Sequence, residues 1–296
     1  MTSHLTRSPD LESFFEDERD QVDRRLDSRL EAGPPGSLRE VMRYSALAPG
    51  KRMRPLLAIA AFRACGGRGE SVYGPACALE LIHAYSLVHD DLPDFDDDAL
   101  RRGRPTSHVV HGEPLALAAG FALLTEGLAW IAEQPPPLAS PLLRLVARSI
   151  GLDGMIGGQY LDLRAEGRRV RAAELLEVHA GKTGRLIRSS VLVGALIAGT
   201  PAPLLPGLES YGDHLGLAFQ IADDLLDALG DAELTGKATG ADAAAGKATF
   251  VSAFGVEGAR LQARAAAALA KREVARLPIE NGLLLAIADF VADRAH

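Results

Sequence analysis

Residues 80–98 read ELIHAYSLVHDDLPDFDDD, an apolar run that leads directly into a cluster of aspartates. Apolar side chains recur at helical spacing before the cluster, which predicts a helix over Glu80–Leu92. The aspartates then gather at the C-terminal end of that helix, where the helix dipole already places negative charge. Pro93 breaks the helix and lets Asp90 and Asp96 converge. The segment is either a solvated acidic loop or a divalent-cation site, and its entry from a buried face favours the cation.

The same helical spacing of apolar residues continues along the chain, and alternating β-branched runs are nearly absent. The other predicted helices are Leu11–Leu30, Leu38–Leu47, Arg54–Ala64, Pro114–Ala132, Leu138–Ile150, Ala172–Ala198, Leu204–Leu229, Gly258–Arg276 and Gly282–Arg294. Prolines and glycines separate these segments, with no shift in composition between them. We therefore predict an all-α fold, a single large helical bundle that forms one domain over residues 1–296.

Composition narrows the class of protein. The 296 residues include 47% hydrophobic residues, so most of the chain is not intrinsically disordered. The net charge of -7 gives no global basic field, and we expect no nucleic-acid partner. Cys65 and Cys77 are too few for a disulfide framework. The first twenty residues lack a signal region, and prolines break the longest uncharged stretch, Ser189–Leu208, which predicts a cytoplasmic protein without a membrane span.

A second acidic cluster lies in residues 219–227, which read FQIADDLLD and continue another apolar helix. Asp223 and Asp227 are four residues apart and therefore share one helix face. Like charges at that spacing destabilise a helix unless a cation compensates them. Mg²⁺ commonly takes one or two carboxylates together with substrate phosphates. The two clusters together predict a magnesium site more specifically than either one alone.

Basic residues supply the complementary charges. Each alone is typical of a solvated surface, but with the acidic clusters they predict a pocket for Mg²⁺ and a polyphosphate. One group lies in the turn GKRMRP at residues 50–55, at a predicted helix start, and another follows the first acidic cluster. The basic residues are Lys51, Arg52, Arg54, Arg101, Arg102, Arg104, Lys182, Lys237 and Lys247.

These motifs, in this order and spacing, resemble the trans-polyprenyl diphosphate synthase family. Within it the pattern is most similar to the bacterial farnesyl diphosphate synthases. The resemblance extends from Gly50 to about Lys247. It is carried by GKRMRP (50–55), HAYSLVHDD (83–91), DDLPDFDDDALRRGRPTSH (90–108), GGQYLDL (157–163), KTGRLIRSS (182–190) and FQIADDLLD (219–227).

The resemblance implies a helical bundle of the isoprenoid synthase type around a central cavity, and a homodimer. It also implies a Mg²⁺-dependent condensation of isopentenyl diphosphate with an allylic diphosphate. Up to three Mg²⁺ ions would bridge the allylic diphosphate. The implied metal ligands are Asp90, Asp91, Asp94 and Asp96 of the first motif and Asp223, Asp224 and Asp227 of the second.

The same resemblance implies the substrate contacts. Arg101, Lys182 and Lys237 would grip the allylic diphosphate, with Lys247 as a further binding residue. Thr183 and Gln220 would lie near the allylic carbons. Isopentenyl diphosphate would be held by Lys51, Arg54, His83 and Arg102. The residues implied to act in catalysis are Asp90, Asp96, Arg101, Lys182, Thr183, Gln220, Asp223 and Lys237.

Product length is expected to depend on Tyr85 and Ser86. Tyr85 precedes Asp90 by five residues, so on a helix it lies about one turn farther down the cavity wall. A bulky ring there predicts farnesyl diphosphate as the product. The alternatives within the family are geranylgeranyl and geranyl diphosphate.

Other readings and departures stay open. Relatives commonly carry an aspartate where this chain has Phe121, which would alter packing or narrow the pocket. Ala99 stands where a further aspartate is frequent, and Arg294 in the C-terminal tail could help to close the site. More remote alternatives are a class I terpene cyclase, a His-Asp metal phosphohydrolase and a silent partner subunit. The intact second acidic cluster and the set Lys51, Arg54 and His83 argue against them.

Overall fold

A computed structural model describes residues 9–168, 170–230 and 247–294. Most of these residues are helical and only four lie in strands, which confirms the predicted all-α class. The α-helices are α1 (Pro9–Leu30), α2 (Leu38–Ala46), α3 (Met53–Ala64), α4 (Tyr73–Asp90), α5 (Ser107–His111), α6 (Glu113–Ala132), α7 (Pro136–Ile150), α8 (Met155–Ala165), α9 (Ala172–His179), α10 (Arg185–Ile197), α11 (Leu205–Leu229), α12 (Phe250–Ala275) and α13 (Gly282–Asp293). The shorter elements are a π-helical turn at Ala180–Gly184, a 3₁₀ turn at Ala202–Leu204, and the antiparallel pair β1 (Leu100–Arg101) and β2 (Arg104–Pro105).

Helix α4 lies at the centre of the bundle. Its buried side chains extend all round the helix between Pro75 and Val88, because α3 and α6 pack on different sides of it. Helix α6 approaches closely at Gly127, where a Cβ atom would lie 2.9 Å from the carbonyl oxygen of Ala78. Helix α11 packs on α10 and α12. The ends of α4 and α11 carry the two acidic motifs, so this packing fixes the motifs in space.

Three predicted helices have different limits in the structure. The helix predicted over Glu80–Leu92 is α4, which begins earlier, at Tyr73, and ends at Asp90. The predicted helix Ala172–Ala198 consists of α9, the π-helical turn and α10 in direct succession. Helix α12 begins at Phe250 instead of Gly258, because Thr249 caps it and accepts a hydrogen bond of 3.0 Å from the Ser252 amide. Gly255 has φ 70° and bends α12, which hides the first turn from a periodicity argument.

Some elements have no counterpart among the sequence predictions. They are α5, the short β1–β2 pair and α8. Helix α8 contains the adjacent glycines Gly157 and Gly158, which weaken a helical prediction. Gly158 is required by contact, since a Cβ atom there would lie 2.1 Å from the Lys182 backbone nitrogen. This close approach brings α8 against the π-helical turn.

The main hydrophobic core extends from Leu11 to Val291, and a smaller cluster that includes Leu175, Ile221 and Phe250 lies between α9, α11 and α12. Helix α6 is long and apolar enough to cross a membrane, and 33% of its most apolar stretch is buried. This apolar helix differs from the uncharged stretch Ser189–Leu208, which prolines interrupt. The single domain over residues 1–296 includes segments outside the described ranges and stays a prediction.

Candidate active site

A cavity of about 970 Å³ opens between the ends of α4 and α11, the start of α3, α8 and the π-helical turn. It brings together most of the residues selected from the sequence. The predicted site residues that line it are Lys51, Arg54, His83, Tyr85, Ser86, Asp90, Asp96, Arg101, Arg102, Lys182, Thr183, Gln220, Asp223, Asp224, Asp227 and Lys247. Lys237 lies outside the described residues.

The first acidic motif folds back over the end of α4. The Asp96 amide donates a hydrogen bond of 2.8 Å to the Asp90 carbonyl oxygen, so both side chains reach the cavity. Burial raises the pKa of the Asp90 carboxyl, and Asp96 adds to that effect while Lys182 opposes it. Asp96 forms an ion pair of 2.8 Å with Lys247. The charged form of Asp90 therefore depends on cations nearby.

Asp91 and Asp94 are placed differently from their motif neighbours. Asp91 is buried and accepts hydrogen bonds from Arg101, with 2.7 Å between Nε and Oδ1. Although burial lowers the pKa of Arg101, its hydrogen bond and charge interaction with Asp91 raise it overall. Asp94 is exposed, and neither aspartate is among the described residues that line the cavity. In this structure Asp91 orients Arg101, which does line the cavity.

The three aspartates of the second acidic motif line the cavity, and Asp223 and Asp224 have different protein partners. Asp223 pairs with Arg294 at 2.8 Å. Asp224 is buried and accepts hydrogen bonds of 2.8 Å from the Gln220 side-chain amide and from the Phe250 backbone amide. It therefore fastens the start of α12 to α11.

The π-helical turn presents Lys182 and Thr183 to the cavity. The Lys182 ammonium donates to Asp162 at 2.6 Å. Burial lowers the pKa of Lys182, but Asp90, Asp162 and Asp96 raise it more strongly, so it stays protonated. The Thr183 hydroxyl donates to the Gln220 side-chain oxygen at 2.6 Å. Local π-helical geometry of this kind is frequent at functional sites.

A second basic group lies at the start of α3. Arg52 has left-handed backbone angles (φ 51°) and pairs with Glu80 at 3.0 Å and with Asp23 at 2.7 Å. The pair with Glu80 is buried on both sides, whereas the Asp23 side chain is exposed, and together they hold the turn whose Lys51 and Arg54 line the cavity. Arg52 thus lines the cavity and also anchors the turn.

Arg54 and His83 are arranged to receive an anion. Burial lowers the pKa of Arg54 to about 10. Burial, together with the charge of Arg54, also lowers the pKa of His83 well below its usual value. Arg54 Nε and His83 Nδ1 are buried and lack a hydrogen-bond partner in the ranges that the structure describes. Arg102 lies beside them and donates to the Pro49 carbonyl oxygen at 2.6 Å.

Tyr85 and Ser86 have different surroundings on α4. Tyr85 is only 8% exposed, and its ring meets the His89 ring edge-on with 4.8 Å between centroids. The Ser86 hydroxyl donates to the His83 carbonyl oxygen at 2.9 Å. The bulky Tyr85 side chain therefore forms part of the cavity wall.

Sequence reasoning missed two side chains on α8 and one contact of the C-terminal helix. Asp162 holds Lys182, and both polar atoms of the Gln159 side chain are buried without a partner among the described residues. Gln159 and Asp162 both lie in the string GGQYLDL, which contributes to the family resemblance but predicts no role for either residue. Arg294, considered for closing the site, pairs with Asp223 and stacks over Phe219 with 4.8 Å from Cζ to the ring centroid.

The donor set fits a hard divalent cation that shares its ligands with a substrate. Carboxylate oxygens come from two helix ends across the cavity, and lysine or arginine contacts several of them. No group of three or more His, Cys, Asp or Glu side chains among the described residues could hold a metal by itself. Mg²⁺ usually takes one or two protein carboxylates and completes its octahedron with waters and substrate phosphates.

Comparisons with known proteins place this geometry among isoprenoid enzymes. The sequence model of the family described as polyprenyl synthetase matches residues 35–278. The chain is 40% identical to a farnesyl diphosphate synthase of Bacillus subtilis (strain 168), with 100% of both chains covered. It is also 40% identical to a geranylgeranyl diphosphate synthase of Cyanophora paradoxa, with 96% of each covered. A Helicobacter pylori geranyltransferase, solved with magnesium and isoprenyl diphosphate, aligns with a TM-score of 0.84 at 30% identity over 98% of each chain.

Proposed function

The chain belongs to the polyprenyl synthetase family and is a prenyltransferase, and on that premise we propose that it makes farnesyl diphosphate. The reaction joins isopentenyl diphosphate to dimethylallyl diphosphate and then to geranyl diphosphate, and it releases diphosphate at each step. One observation carries this proposal. A single cavity holds carboxylates of both acidic motifs and two separate groups of cations, at the π-helical turn and at the start of α3.

The group at the π-helical turn suits the allylic diphosphate. Bound at Asp90, Asp96, Asp223 and Asp227, up to three Mg²⁺ ions would neutralise the departing diphosphate. Lys182 stays charged beside Asp90 and can donate to the same leaving oxygens as negative charge develops there. Thr183 and Gln220 hold each other by a hydrogen bond of 2.6 Å, which fixes their oxygens near the developing carbocation.

The group at the start of α3 suits isopentenyl diphosphate. Lys51, Arg54 and Arg102 supply positive charge, and the buried unpartnered Nε of Arg54 offers a donor. His83 is neutral because burial lowers its pKa, so it acts as a hydrogen-bonding ligand. The double bond of this substrate would then attack the allylic carbon, and loss of a proton completes the longer product.

Product length in this proposal depends on Tyr85. Similarity to a farnesyl diphosphate synthase over the whole chain supports this product, and a geranylgeranyl diphosphate synthase at the same identity marks the alternative. The Tyr85 side chain is large, nearly buried and at the cavity wall. It should stop growth after two condensations.

We further propose that a second copy of the chain covers the exposed face of α6. That face is apolar, and its exposed side chains, with those of α5, are Val109, Val110, Leu115, Leu117 and Phe121. The opposite face of α6 belongs to the core, and Glu126 pairs with Arg29 at 2.6 Å. A membrane-spanning role would remove these contacts, whereas a homodimer keeps them. The cytoplasmic location expected from the sequence remains part of this proposal.

The first experiment is a product assay with Mg²⁺ and labelled isopentenyl diphosphate. Dimethylallyl, geranyl and farnesyl diphosphate serve as separate starters. Farnesyl product from the first two, with the third left unextended, is the expected result. Longer products would refute the role of Tyr85 in stopping chain growth, but the chain would still be a prenyltransferase. Removal of Mg²⁺ with a chelator should abolish the reaction, and cyclic hydrocarbon from farnesyl diphosphate alone would favour a terpene cyclase.

A further inference from the structure

We propose that Phe121 on α6 is a specificity-determining residue, which sets product length by holding Tyr85 in place through His89. This inference rests on the proposed function, because it concerns the floor of the same cavity. Phe121 itself is 53% exposed and lies behind the described lining of the cavity. It would therefore act as a positioning residue without touching the substrate.

Three rings form a continuous row from the cavity to the surface of α6. The Tyr85 and His89 rings meet edge-on at 73° with centroids 4.8 Å apart. The His89 and Phe121 rings meet at 86° with centroids 4.9 Å apart. Both are favourable edge-to-face arrangements. Tyr85 and His89 line the cavity, so a force on Tyr85 from a growing chain passes to His89 and then to Phe121.

The middle ring has little freedom to move. His89 Nε2 lies 3.1 Å from the Leu117 carbonyl oxygen, within hydrogen-bond distance. Gly120 leaves space for this ring, since a Cβ atom there would lie 2.2 Å from His89 Nε2. The backbone of α6 therefore limits movement of the His89 ring on one side, and Phe121 limits it on another.

The ring of Phe121 completes the row at the surface of α6. A non-aromatic side chain at position 121 would offer no ring for an edge-to-face contact with His89. Phe121 instead supplies an apolar support for the row. Without the Phe121 ring, Tyr85 should move aside for a longer prenyl chain. If His89 is pushed toward Tyr85, the product should become shorter.

The test uses two variants that displace the row in opposite directions. Phe121→Ala removes the outer ring, and the share of geranylgeranyl diphosphate should rise roughly two- to tenfold, the factor that one ring contact represents. Gly120→Ala places a methyl group against His89 and pushes that ring toward Tyr85, so the share of geranyl diphosphate should rise. Product distributions are measured by chromatography after complete reaction with geranyl or dimethylallyl diphosphate.

Two further variants serve as controls. Phe121→Tyr keeps the ring and should retain the wild-type distribution. Leu115→Ala removes another exposed apolar side chain of α6, 48% exposed, and should leave the distribution unchanged. For Phe121→Ala, kcat/KM with geranyl diphosphate should stay close to wild type, because the residue contacts no substrate.

The outcomes separate this inference from the proposed function. A wild-type enzyme that makes farnesyl diphosphate, with Phe121→Ala giving the same distribution, refutes the inference alone. An equal shift in Leu115→Ala also refutes it, since the effect would then come from the α6 surface in general. If Gly120→Ala does not fold, Phe121→Ala decides the question by itself. A wild-type chain that elongates no starter refutes the proposed function instead.

Discussion

Asp224 is the buried carboxylate of the second acidic motif, and protein groups contact both of its oxygens. It accepts hydrogen bonds from the Gln220 amide and from the Phe250 backbone amide, and it is 3% exposed. Asp227, one helical turn away on α11, lines the cavity and is only partly buried. The two aspartates should therefore respond differently to the same substitution.

We expect Asp224→Ala to lower the free energy of unfolding by about 1–3 kcal/mol, because it leaves buried donors unsatisfied. We expect Asp227→Ala to change stability by less than about 1 kcal/mol and to raise the Mg²⁺ concentration for half-maximal activity several-fold. Denaturant unfolding and a Mg²⁺ titration of the initial rate measure the two effects. Equal losses of stability in both variants would contradict the distinct roles.

Cys77 provides a prediction about alkaline pH. It is fully buried, and burial raises the pKa of its thiol to about 12. The unfolded chain releases this proton at about pH 8.5. The folded chain then binds more protons than the unfolded one, so the free energy of unfolding falls as the pH rises above that value.

Between about pH 7.5 and about pH 9.5 this difference destabilises the wild type by about 1 kcal/mol. Cys77→Ala should show a smaller decline over the same range, although it is less stable at neutral pH. Urea unfolding under reducing conditions at both pH values gives the comparison. Parallel declines in the two proteins would show that burial does not raise the pKa of the Cys77 thiol above its unfolded value.

Residues were predictable from the sequence where charge was concentrated in motifs. Both acidic clusters and the basic turn at the start of α3 reach one cavity, as expected. The sequence could not show which aspartates face the cavity. The contact between Asp91 and Arg101 depends on the folded path of the loop. Asp162 and Gln159 were missed because single polar residues on an unpredicted helix give no pattern.

At the scale of elements, the contact between α8 and the π-helical turn decides where Lys182 lies. Gly158 touches the Lys182 backbone, and a Cβ atom at Gly181 would lie 2.9 Å from the Gly158 Cα. Asp162, one turn farther along α8, then reaches the Lys182 ammonium at 2.6 Å. Glycines at this crossing are therefore needed for the geometry of the site as well as for packing.

Gly158→Ala should force α8 away from the turn and cost about 1–3 kcal/mol of stability. A displacement of about 1 Å at Lys182 should lower kcat by up to about 100-fold. Gly282→Ala is the matched control, since no atom of the described residues lies within 4 Å of a Cβ atom there. Steady-state kinetics and thermal unfolding of both variants test the prediction, which fails if Gly158→Ala keeps wild-type kcat.

Element limits show why periodicity was an incomplete guide. It located the long helices, because their buried faces repeat every turn. It missed α8, whose glycines face another backbone, and it started α12 too late. The start of α12 is set by the Thr249 cap, and Gly255, with φ 70°, interrupts the helical pattern after it. Contacts between backbones and caps depend on the tertiary structure, so a single sequence gives only weak signals for them.

At the scale of the whole molecule, the apolar face of α6 makes the association of two copies testable. A glutamate at Leu115 would place a charge in the centre of the proposed interface, where desolvation is costly. We expect Leu115→Glu to convert the dimer to a monomer. Leu261→Glu is the matched control, because Leu261 is a 69% exposed leucine on α12, far along the chain from α6.

Light scattering coupled to size-exclusion chromatography gives the mass of each protein. A dimeric Leu261→Glu beside a monomeric Leu115→Glu supports the interface, since both variants add the same charge to an exposed apolar position. Two dimers would place the contact elsewhere. A wild-type protein that is monomeric and partitions onto lipid vesicles would instead assign the α6 face to a membrane surface. The dimer is the expected result, because the core contacts of α6 hold that helix in the bundle and leave only its outer face to be covered.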